Sequence, residues 1–471
     1  MRSCIVSIAL AVVATTSIAH ADDFSTFVAR AAAASLKATG AASVSVGVMR
    51  GGRVVLTSAF GRSRLHPNLP ATATTTYDVG SITKQFTAAA ILMLAQEQKL
   101  SLSDPIAKYV PTAFSGANVT IAELLNQTAG YVDYYPLDYV DNEMQKPTTD
   151  DAIIAEYATQ PLEFEPGTKY SYSNTNYTLL GKVVEVASGE PLERFLSERI
   201  FTPLGMTHTS CVESAEGDLE RAYGYTTLFL NPLSRATPER PGWLGAAGCV
   251  VSTPSDLLKW DAALTSGHVL TAASLSAMTA QTRLKNGGTS NYGYGIVAET
   301  LRGHRVFYHD GGTSGFSAFN IVLPDDGDAV VLLYNTDNVD MASLYRPILH
   351  NLLNITAPSP HPSGAPQPTM SPKDTEGATM VRTLMLMLQE DNIDRTLLTA
   401  DFNAFLTPDL ERQASRNLAK LGSPLNVVAN VSENHGQEFT TATVQFSART
   451  VNVTMRRTSD GKVAEFLVSP G

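Results

Sequence analysis

The strand-like segments of this sequence lie far apart along the chain, and this separation constrains the fold more than any other feature. Residues 43–56 read as a β-hairpin, because apolar residues alternate with period two on either side of an Arg-Gly-Gly-Arg turn. Helical patterns follow for most of the next 250 residues, roughly, before strand patterns return at 305–309, 318–323 and 329–334. We therefore expect an α+β fold. One antiparallel sheet takes strands from both ends of the region, with flanking helices and an additional helical region inserted between the strand groups.

A proline-rich stretch divides the chain after this region. A chain of 471 residues exceeds the roughly 250–300 residues that one core usually serves. Because repeated proline stiffens an extended chain, we interpret residues 356–375 as a linker. It separates a domain at 22–355 from a small α+β domain at 376–471. The prolines are Pro358, Pro360, Pro362, Pro366, Pro368 and Pro372.

The first 21 residues have the pattern of a secretory signal peptide. Arg2 precedes an apolar stretch from Ile5 to Ile18, and Ala19-His20-Ala21 forms an A-x-A cleavage site. The apolar run is shorter than the ~18–20 residues of a spanning helix, which predicts no stable membrane anchor. We expect cleavage near Ala21 and a secreted or periplasmic protein.

Charge and cysteine content exclude several classes of function. The formal net charge is -11 with a pI near 5.3, which opposes binding to nucleic acid. Three cysteines are too few for a disulfide scaffold or a Cys-rich zinc site. No metal-ligand spacing occurs, so we expect neither a metal nor a cofactor.

Two S-x-x-K patterns occur, and their contexts differ. Ser459 lies on an Asp-Gly turn between strand patterns, where it need not face Lys462. Ser81 follows Gly80 and opens what we predict to be an amphipathic helix, so Ser81 and Lys84 fall one turn apart on one face. A helix N-terminus also directs backbone N–H groups at a developing anion. Taken alone, the pattern favours a serine N-cap with an exposed lysine over a catalytic pair.

Two later segments complete a possible site. Residues 166–174 end in Tyr172-Ser173-Asn174, which offers a phenol to move a proton and an amide to hold a carbonyl. Residues 308–312 read Tyr-His-Asp-Gly-Gly at the end of a strand, where glycine lets a substrate lie against the backbone. Three motifs in this order are much more specific than one.

With these motifs the sequence resembles the penicillin-recognising serine hydrolases, the group of class C β-lactamases, D-alanyl-D-alanine carboxypeptidases and related esterases. The resemblance spans about residues 24–353 and implies a β-lactamase/transpeptidase-like fold. Further matching segments are Leu124 to Gly130, Pro203 to Met206, Ala246 to Gly248 and Ser252 to Asp256.

The resemblance also implies a role for each motif residue. Ser81 would be the acylated nucleophile, with Lys84 and Tyr172 as its acid/base pair. Asn174 would bind the acyl-side amide. The remaining substrate-binding residues would be His309, Asp310 and Gly311, and the backbone N–H groups of Ser81 and Gly312 would form the oxyanion hole.

Four positions depart from the family pattern. Gln127 and Ala129 replace the usual His and Ser, which we expect to affect packing more than chemistry. His309 stands where many relatives have Lys, and Asp310 where Thr often binds a substrate carboxylate. Asp310 therefore opposes recognition of penicillin and D-Ala-D-Ala.

The C-terminal domain is weakly similar to NTF2-like α+β modules in element order and in its final hairpin at 460–466. It carries no catalytic constellation of its own. We expect a structural or interaction role.

Cys211 and Cys249 remain after signal-peptide removal, and an oxidising compartment allows them to form a disulfide. Two buried free thiols fit the sequence equally well, because sequence does not place the Cβ atoms.

These observations predict a serine hydrolase that cleaves amides or esters through an acyl-enzyme on Ser81. It would act as an esterase, a D-amino-acid peptidase or amidase, or a β-lactamase. Its substrate would be a small molecule or peptide, peptidoglycan fragments among them, and its oligomeric state is open. The alternative is a non-catalytic receptor that binds penicillin or peptidoglycan peptides.

Overall fold

The computed structural model describes residues 12–135, 143–211, 218–355, 370–434 and 436–470. Residues 1–11 of the predicted signal peptide and 356–369 of the predicted linker lie outside the described residues. The first helix begins at Val12, within the predicted signal peptide. The helix that opens the C-terminal unit begins at Pro372, within the range assigned to the linker.

Thirteen α-helices lie in the described ranges. They are α1 Val12–Thr39, α2 Thr83–Gln96, α3 Ile121–Leu125, α4 Asp150–Tyr157, α5 Asn174–Ser188, α6 Leu192–Leu196, α7 Gly245–Gly248, α8 Pro254–Ser266, α9 Ala272–Met278, α10 Ala342–Leu352, α11 Pro372–Gln389, α12 Ala400–Phe405 and α13 Pro408–Leu418. Within these ranges no helix combines the length and the apolar character that crossing a membrane requires.

Most of the strands belong to two antiparallel sheets, and the others are short. The strands are β1 Ser43–Arg50, β2 Arg53–Arg64, β3 Leu69–Pro70, β4 Tyr77–Asp78, β5 Ser210–Cys211, β6 Tyr225–Thr226, β7 Ser234–Arg235, β8 Val250–Ser252, β9 Thr282–Arg283, β10 Thr289–Ser290, β11 Val297–Leu301, β12 His304–Thr313, β13 Phe316–Leu323, β14 Asp328–Tyr334, β15 Asn426–Asn434, β16 Gln437–Gln445, β17 Thr450–Arg457 and β18 Val463–Pro470.

The larger sheet has the order β11-β12-β13-β14-β1-β2-β3 and joins the two ends of the predicted domain. Strand β1 pairs antiparallel with β14, so that Val46 lies opposite Leu332. The predicted α+β class and the antiparallel sheet with strands from distant parts of the chain are confirmed.

Helices cover both faces of this sheet because its central strands are apolar on both sides. On β14, Val330 and Leu332 pack with helices α1 and α10, whereas Val331 and Leu333 pack with the larger core that contains α2 and α8. Successive side chains of a strand point to opposite faces, so a continuous apolar run serves two cores.

Helix α2 is buried almost all round rather than amphipathic, so that part of the prediction is wrong. Every residue from Thr83 to Leu92 is buried. Polar residues on this helix are accommodated by hydrogen bonds: Thr87 donates to the carbonyl of Ala246, and Gln85 accepts from Trp260. A helix buried on all sides is held in place by its surroundings, and α2 carries Lys84.

The C-terminal unit has a four-stranded antiparallel sheet in the order β15-β16-β17-β18, with α11 packed across one face. The segment Leu228–Leu230 of the larger unit contributes Phe229 to this second core, where its side chain is fully buried. A hydrogen bond of 2.7 Å from Asn417 to Asn231 reinforces the contact. The two units therefore share a packed apolar contact.

Asp261 on α8 is a buried acid inside the larger core. Asn320 Nδ2 donates to Asp261 Oδ1 at 2.8 Å, and Asp261 Oδ2 and Asn320 Oδ1 have no hydrogen-bond partner among the described residues. Burial raises the pKa of Asp261 to about 8. A proton on Oδ2 makes it a donor, so a neutral Asp261 can pair with both polar atoms of the Asn320 amide.

We expect Asp261 to make the free energy of unfolding decrease as pH rises. Between the unfolded pKa of about 4 and the folded value of about 8, the folded state holds one proton more, so the free energy of unfolding decreases by up to about 1.4 kcal/mol per pH unit. Above pH 8 the contribution of Asp261 to the free energy of unfolding no longer changes with pH. Asp261→Asn mimics the neutral acid and should remove the slope, whereas Asp401→Asn at an exposed site should retain it. Urea unfolding from pH 5 to 9 measures this, and an unchanged slope in Asp261→Asn contradicts it.

Candidate active site

Ser81 lies in a 3-10 turn, Gly80–Ile82, that leads directly into α2. Gly80 has φ of +50°, a left-handed conformation that favours glycine. A Cβ at Gly80 would also lie 2.7 Å from the backbone N of Gly312 on β12. The turn is therefore pressed against β12, and Ser81 remains only partly buried at the floor of a cavity.

Lys84 lies one turn after Ser81, and its ammonium group has three hydrogen-bond acceptors. The Nζ atom lies 2.9 Å from Ser81 Oγ, 2.7 Å from Asn174 Oδ1 and 3.0 Å from the carbonyl oxygen of Ala247. Its side chain is fully buried. A neutral amine that loses the proton facing Ser81 keeps its other two donors engaged and directs its lone pair at Ser81 Oγ.

Burial lowers the pKa of Lys84 to about 7, although the negative charges of Asp133 and Asp310 act in the opposite direction. The cause is desolvation, which disfavours the charged ammonium. A substantial fraction of Lys84 is therefore an uncharged base at neutral pH.

Tyr172 completes the group around Ser81. Its hydroxyl donates to Ser81 Oγ at 2.8 Å. Burial raises the pKa of Tyr172 well above its usual value. Tyr172 therefore remains a protonated phenol at neutral pH and can donate a proton.

Asp133 orients Asn174, and sequence reasoning missed it. Its Oδ1 accepts from the backbone N of Asn174 at 2.8 Å and from Asn174 Nδ2 at 3.1 Å. This fixes the amide so that Oδ1 of Asn174 faces Lys84. Asp133 follows Gly130 by three residues, but it belongs to no motif that would have marked it.

Gln127, which replaces the family's histidine, holds the Tyr172 segment in position. Its Oε1 accepts from the backbone N of Ser173 at 3.0 Å and from Asn176 Nδ2 at 2.5 Å. The side chain is fully buried and does not line the cavity. Its contacts are structural.

Strand β12 forms the opposite side of the site. Its pairing with β11 ends at Tyr308, so among the described strands residues 309–313 pair only with β13. A Cβ at Gly311 would lie 2.0 Å from the carbonyl oxygen of Val79, whereas nothing lies within 4 Å of one at Gly312. Gly312 thus leaves room for a substrate, while Gly311 permits close packing; both line the cavity.

His309 is buried and uncharged. Its Nε2 lies 2.9 Å from the hydroxyl of Tyr292, and its Nδ1 lies 2.5 Å from the carbonyl oxygen of Asp310. Because Nδ1 faces a carbonyl, it carries the proton and Nε2 accepts from Tyr292. Burial also lowers the pKa of His309. His309 therefore brings no positive charge to the position where relatives have lysine.

The cavity above Ser81 has a volume of about 530 Å³. Asp310 lines it with an exposed side chain, and no lysine or arginine in the described ranges forms an ion pair with Asp310. No group of three or more His, Cys, Asp or Glu side chains among these residues is placed to hold a metal ion. The aromatic residues in the wall are Tyr134, Tyr135, Tyr170, Tyr172, Trp243 and Phe316.

The structure thus brings Ser81, Lys84, Tyr172 and Asn174 into one hydrogen-bonded group and places His309 to Gly312 across the cavity from it. A disulfide joins Cys211 and Cys249. Cys249 lies two residues after Ala247, whose carbonyl oxygen accepts from Lys84. The second S-x-x-K pattern, at Ser459, lies on an exposed turn of the C-terminal unit.

The sequence model of the family described as Beta-lactamase matches residues 28–353, more than half of the chain. The chain belongs to the beta-lactamase family. This confirms the resemblance drawn from the motifs and the prediction of an enzyme of the serine hydrolase class. The similarity of the C-terminal domain to NTF2-like modules stays a prediction.

Curated relatives of this beta-lactamase family member include penicillin-binding proteins. Penicillin-binding protein 4* of Bacillus subtilis is 29% identical over 301 residues, which cover 61% of this chain and 66% of the relative. Protein flp of Staphylococcus aureus is 27% identical over 321 residues, with coverages of 66% and 63%. The matches span about two thirds of the length of these relatives.

Solved structures share the fold of this family member. A D-amino acid amidase from Ochrobactrum anthropi has a TM-score of 0.62 at 24% identity, covering 71% of this chain and 98% of that one. A D-stereospecific amidohydrolase from Streptomyces has a TM-score of 0.59 at 26% identity, covering 68% of this chain and 96% of that one. An octameric penicillin-binding protein homologue from Pyrococcus abyssi has a TM-score of 0.61 at 20% identity, covering 95% of this chain and 99% of that one. This structural similarity therefore includes the C-terminal unit.

The disulfide should contribute measurably to stability. It closes a sequence separation of 38 residues, for which the loop-entropy model gives about 4 kcal/mol. We expect Cys211→Ser/Cys249→Ser to lower the free energy of unfolding towards that amount, while reduction of this double variant has no further effect. Alkylation and mass spectrometry should find both thiols blocked before reduction. Two free thiols in protein isolated under oxidising conditions contradict the bridge.

Proposed function

We propose that this protein hydrolyses amides or esters through an acyl-enzyme on Ser81. The observation that carries the proposal is the pair of hydrogen bonds at Ser81 Oγ, 2.9 Å from Lys84 Nζ and 2.8 Å from the Tyr172 hydroxyl. A serine hydroxyl is a weak nucleophile and needs an adjacent base. Lys84 is that base, because burial keeps part of it uncharged at neutral pH.

The two partners divide the proton transfers. As Ser81 Oγ attacks the substrate carbonyl, its proton passes to Lys84. Tyr172 donates its hydroxyl proton to the leaving nitrogen or oxygen as that bond breaks, and the proton on Lys84 restores Tyr172. Water then attacks the acyl-enzyme, gives a proton to the same pair and releases the acid with Ser81 regenerated.

Backbone N–H groups stabilise the anion that forms on the carbonyl oxygen. The turn at Gly80 and Ser81 lies against Gly312, since a Cβ at Gly80 would meet the Gly312 nitrogen at 2.7 Å. The N–H groups of Ser81 and Gly312 are the donors we assign. Donors preorganised in this way stabilise developing charge more than water does.

The substrate is an amide or ester without a carboxylate next to the scissile bond. His309 is neutral and Asp310 is an exposed acid in the cavity wall, so the described residues at this position offer a substrate carboxylate no cation. D-amino acid amidase and D-stereospecific amidohydrolase are among the proteins of similar structure. We therefore favour D-amino-acid amides and esters over penicillins, with peptidoglycan fragments that lack the terminal carboxylate as larger candidates.

The protein works outside the cytoplasm in this proposal. The A-x-A pattern at Ala19 to Ala21 supports export. The disulfide between Cys211 and Cys249 also supports it, because such bonds persist in oxidising compartments.

Replacement of Ser81 tests the proposal directly. Ser81→Ala should lower kcat by roughly 10⁴–10⁶ and leave the unfolding transition intact. Ser459→Ala removes the serine of the other S-x-x-K pattern and serves as the matched control, with activity unchanged. The assay is a steady-state panel of chromogenic esters, D-amino-acid amides, D-Ala-D-Ala peptides and cephalosporins. Near wild-type turnover in Ser81→Ala contradicts the proposal, and single-hit labelling without turnover supports the receptor alternative.

The pH dependence of kcat/KM should report Lys84. Since the uncharged amine is the base, activity should fall as pH decreases through about 7. Asp133 raises the pKa of Lys84 by its charge, so Asp133→Asn should shift this acid limb to lower pH. Asp401→Asn, on α12 of the C-terminal unit, should leave the limb in place. An acid limb that does not move in Asp133→Asn rules out Lys84 as the titrating group.

A further inference from the structure

A second cavity, of about 430 Å³, lies where the larger unit meets the C-terminal sheet. Three of its lining residues, Asn452 and Thr454 on β17 and Ser469 on β18, belong to the C-terminal unit. Residues of β12 and β13 and of the segment 338–345 form the other side. No residue of the mechanism above, from Ser81 to Asn174, reaches this cavity.

The second cavity adjoins the cavity above Ser81. Asp310, Asn338, Val339 and Met341 line both. An extended substrate lying along β12 from Gly312 towards Tyr308 therefore passes from the first cavity into the second.

This direction is the leaving-group side of the proposed reaction. The leaving atom must lie near the hydroxyl of Tyr172, which donates its proton. The Tyr172 ring lies 6.2 Å from the His309 ring, and the two neighbours of His309 on β12, Tyr308 and Asp310, both line the second cavity. What continues beyond the leaving atom thus enters the second cavity.

The C-terminal wall offers hydrogen bonds on one face of its sheet. Asn452 pairs with Ser469 across β17 and β18, and Thr454 lies two residues further on the same face, since Val453 between them points into the core. Amide and hydroxyl groups of this kind both donate and accept, as a peptide backbone does.

The opposite wall is aromatic, and none of its described residues carries a positive charge. The rings of Phe319 and Tyr345 stack with centroids 4.3 Å apart, and Tyr308 packs beside them. Asp310 and Asp340 are its charged residues. This wall suits an uncharged chain and opposes a carboxylate.

The position of the C-terminal unit is fixed by the buried Phe229 and by the Asn417 to Asn231 hydrogen bond. Asn452, Thr454 and Ser469 are thereby held at a set distance from β12. A wall that is held in place loses little conformational freedom when a ligand binds.

We propose that Asn452, Thr454 and Ser469 form the far wall of a leaving-group subsite that binds a peptide segment of more than one residue. This rests on the proposed acyl-enzyme function and makes the protein an endo-acting amidase, which cleaves inside a peptide rather than next to a terminal carboxylate. The C-terminal unit determines specificity and takes no part in the bond-breaking steps.

The test compares two substrates with the same acyl group, chosen as the best acyl group of the panel. One carries 4-nitroaniline as the leaving group and the other an amidated tetrapeptide. For the full-length wild type, kcat/KM should be about tenfold higher with the tetrapeptide. Asn452→Ala/Thr454→Ala should remove most of this advantage through KM, with the nitroanilide rate unchanged. Thr441→Ala, on the same face of the sheet but outside the cavity, should behave as wild type.

Calorimetry provides a second readout that does not need turnover. The amidated tetrapeptide should bind Ser81→Ala, and about tenfold more weakly when Asn452→Ala/Thr454→Ala is added. A single amino acid with a free carboxylate should bind least. Equal loss on both substrates, or an equal effect of Thr441→Ala, overturns the subsite. Failure of both substrates to react in wild type overturns the proposed function instead, while tetrapeptide binding to Ser81→Ala would still support the subsite.

Discussion

The buried amine of Lys84 is the constraint on which the active site depends. An ammonium group in a dry interior is costly unless its three protons are accepted, and here Ser81, Asn174 and Ala247 accept them. These acceptors come from three separate parts of the chain, so the fold must bring all of them to α2. The same burial that makes the charged form costly produces the uncharged base that serine chemistry needs.

The second constraint is the close approach of backbone to backbone at β12. Glycine at 80 and 311 allows the turn that carries Ser81 to lie against the strand. Side chains at either position would separate the two segments and move the N–H groups of Ser81 and Gly312 apart. Loss of the β11 pairing beyond Tyr308 leaves this edge of β12 open to a substrate. The site therefore lies at the unpaired edge of β12, next to the N-terminus of α2.

How much the sequence could predict depended on distance along the chain. Ser81 and Lys84 are three residues apart, and Tyr172 and Asn174 two, so local motifs identified them. Asp133 and Gln127 act over separations of 41 and 46 residues, and no short pattern reveals such contacts. The close packing at Gly311 was not predicted, because it depends on Val79, which is distant in the chain. The burial of α2 was missed for the same reason, since α5 and α7 cover its polar side.

The contact between the two units has a consequence for how such proteins can be divided or recombined. Phe229 belongs to the chain of the larger unit but to the core of the smaller one, with Leu228 and Leu230 packed beside it. A chain ending at Ile355 would present these three apolar side chains to water, and such patches promote association. Fusion of the hydrolase unit to a different domain therefore requires that the loop from Leu228 to Leu230 be redesigned, or that the new neighbour supply a pocket for an aromatic ring.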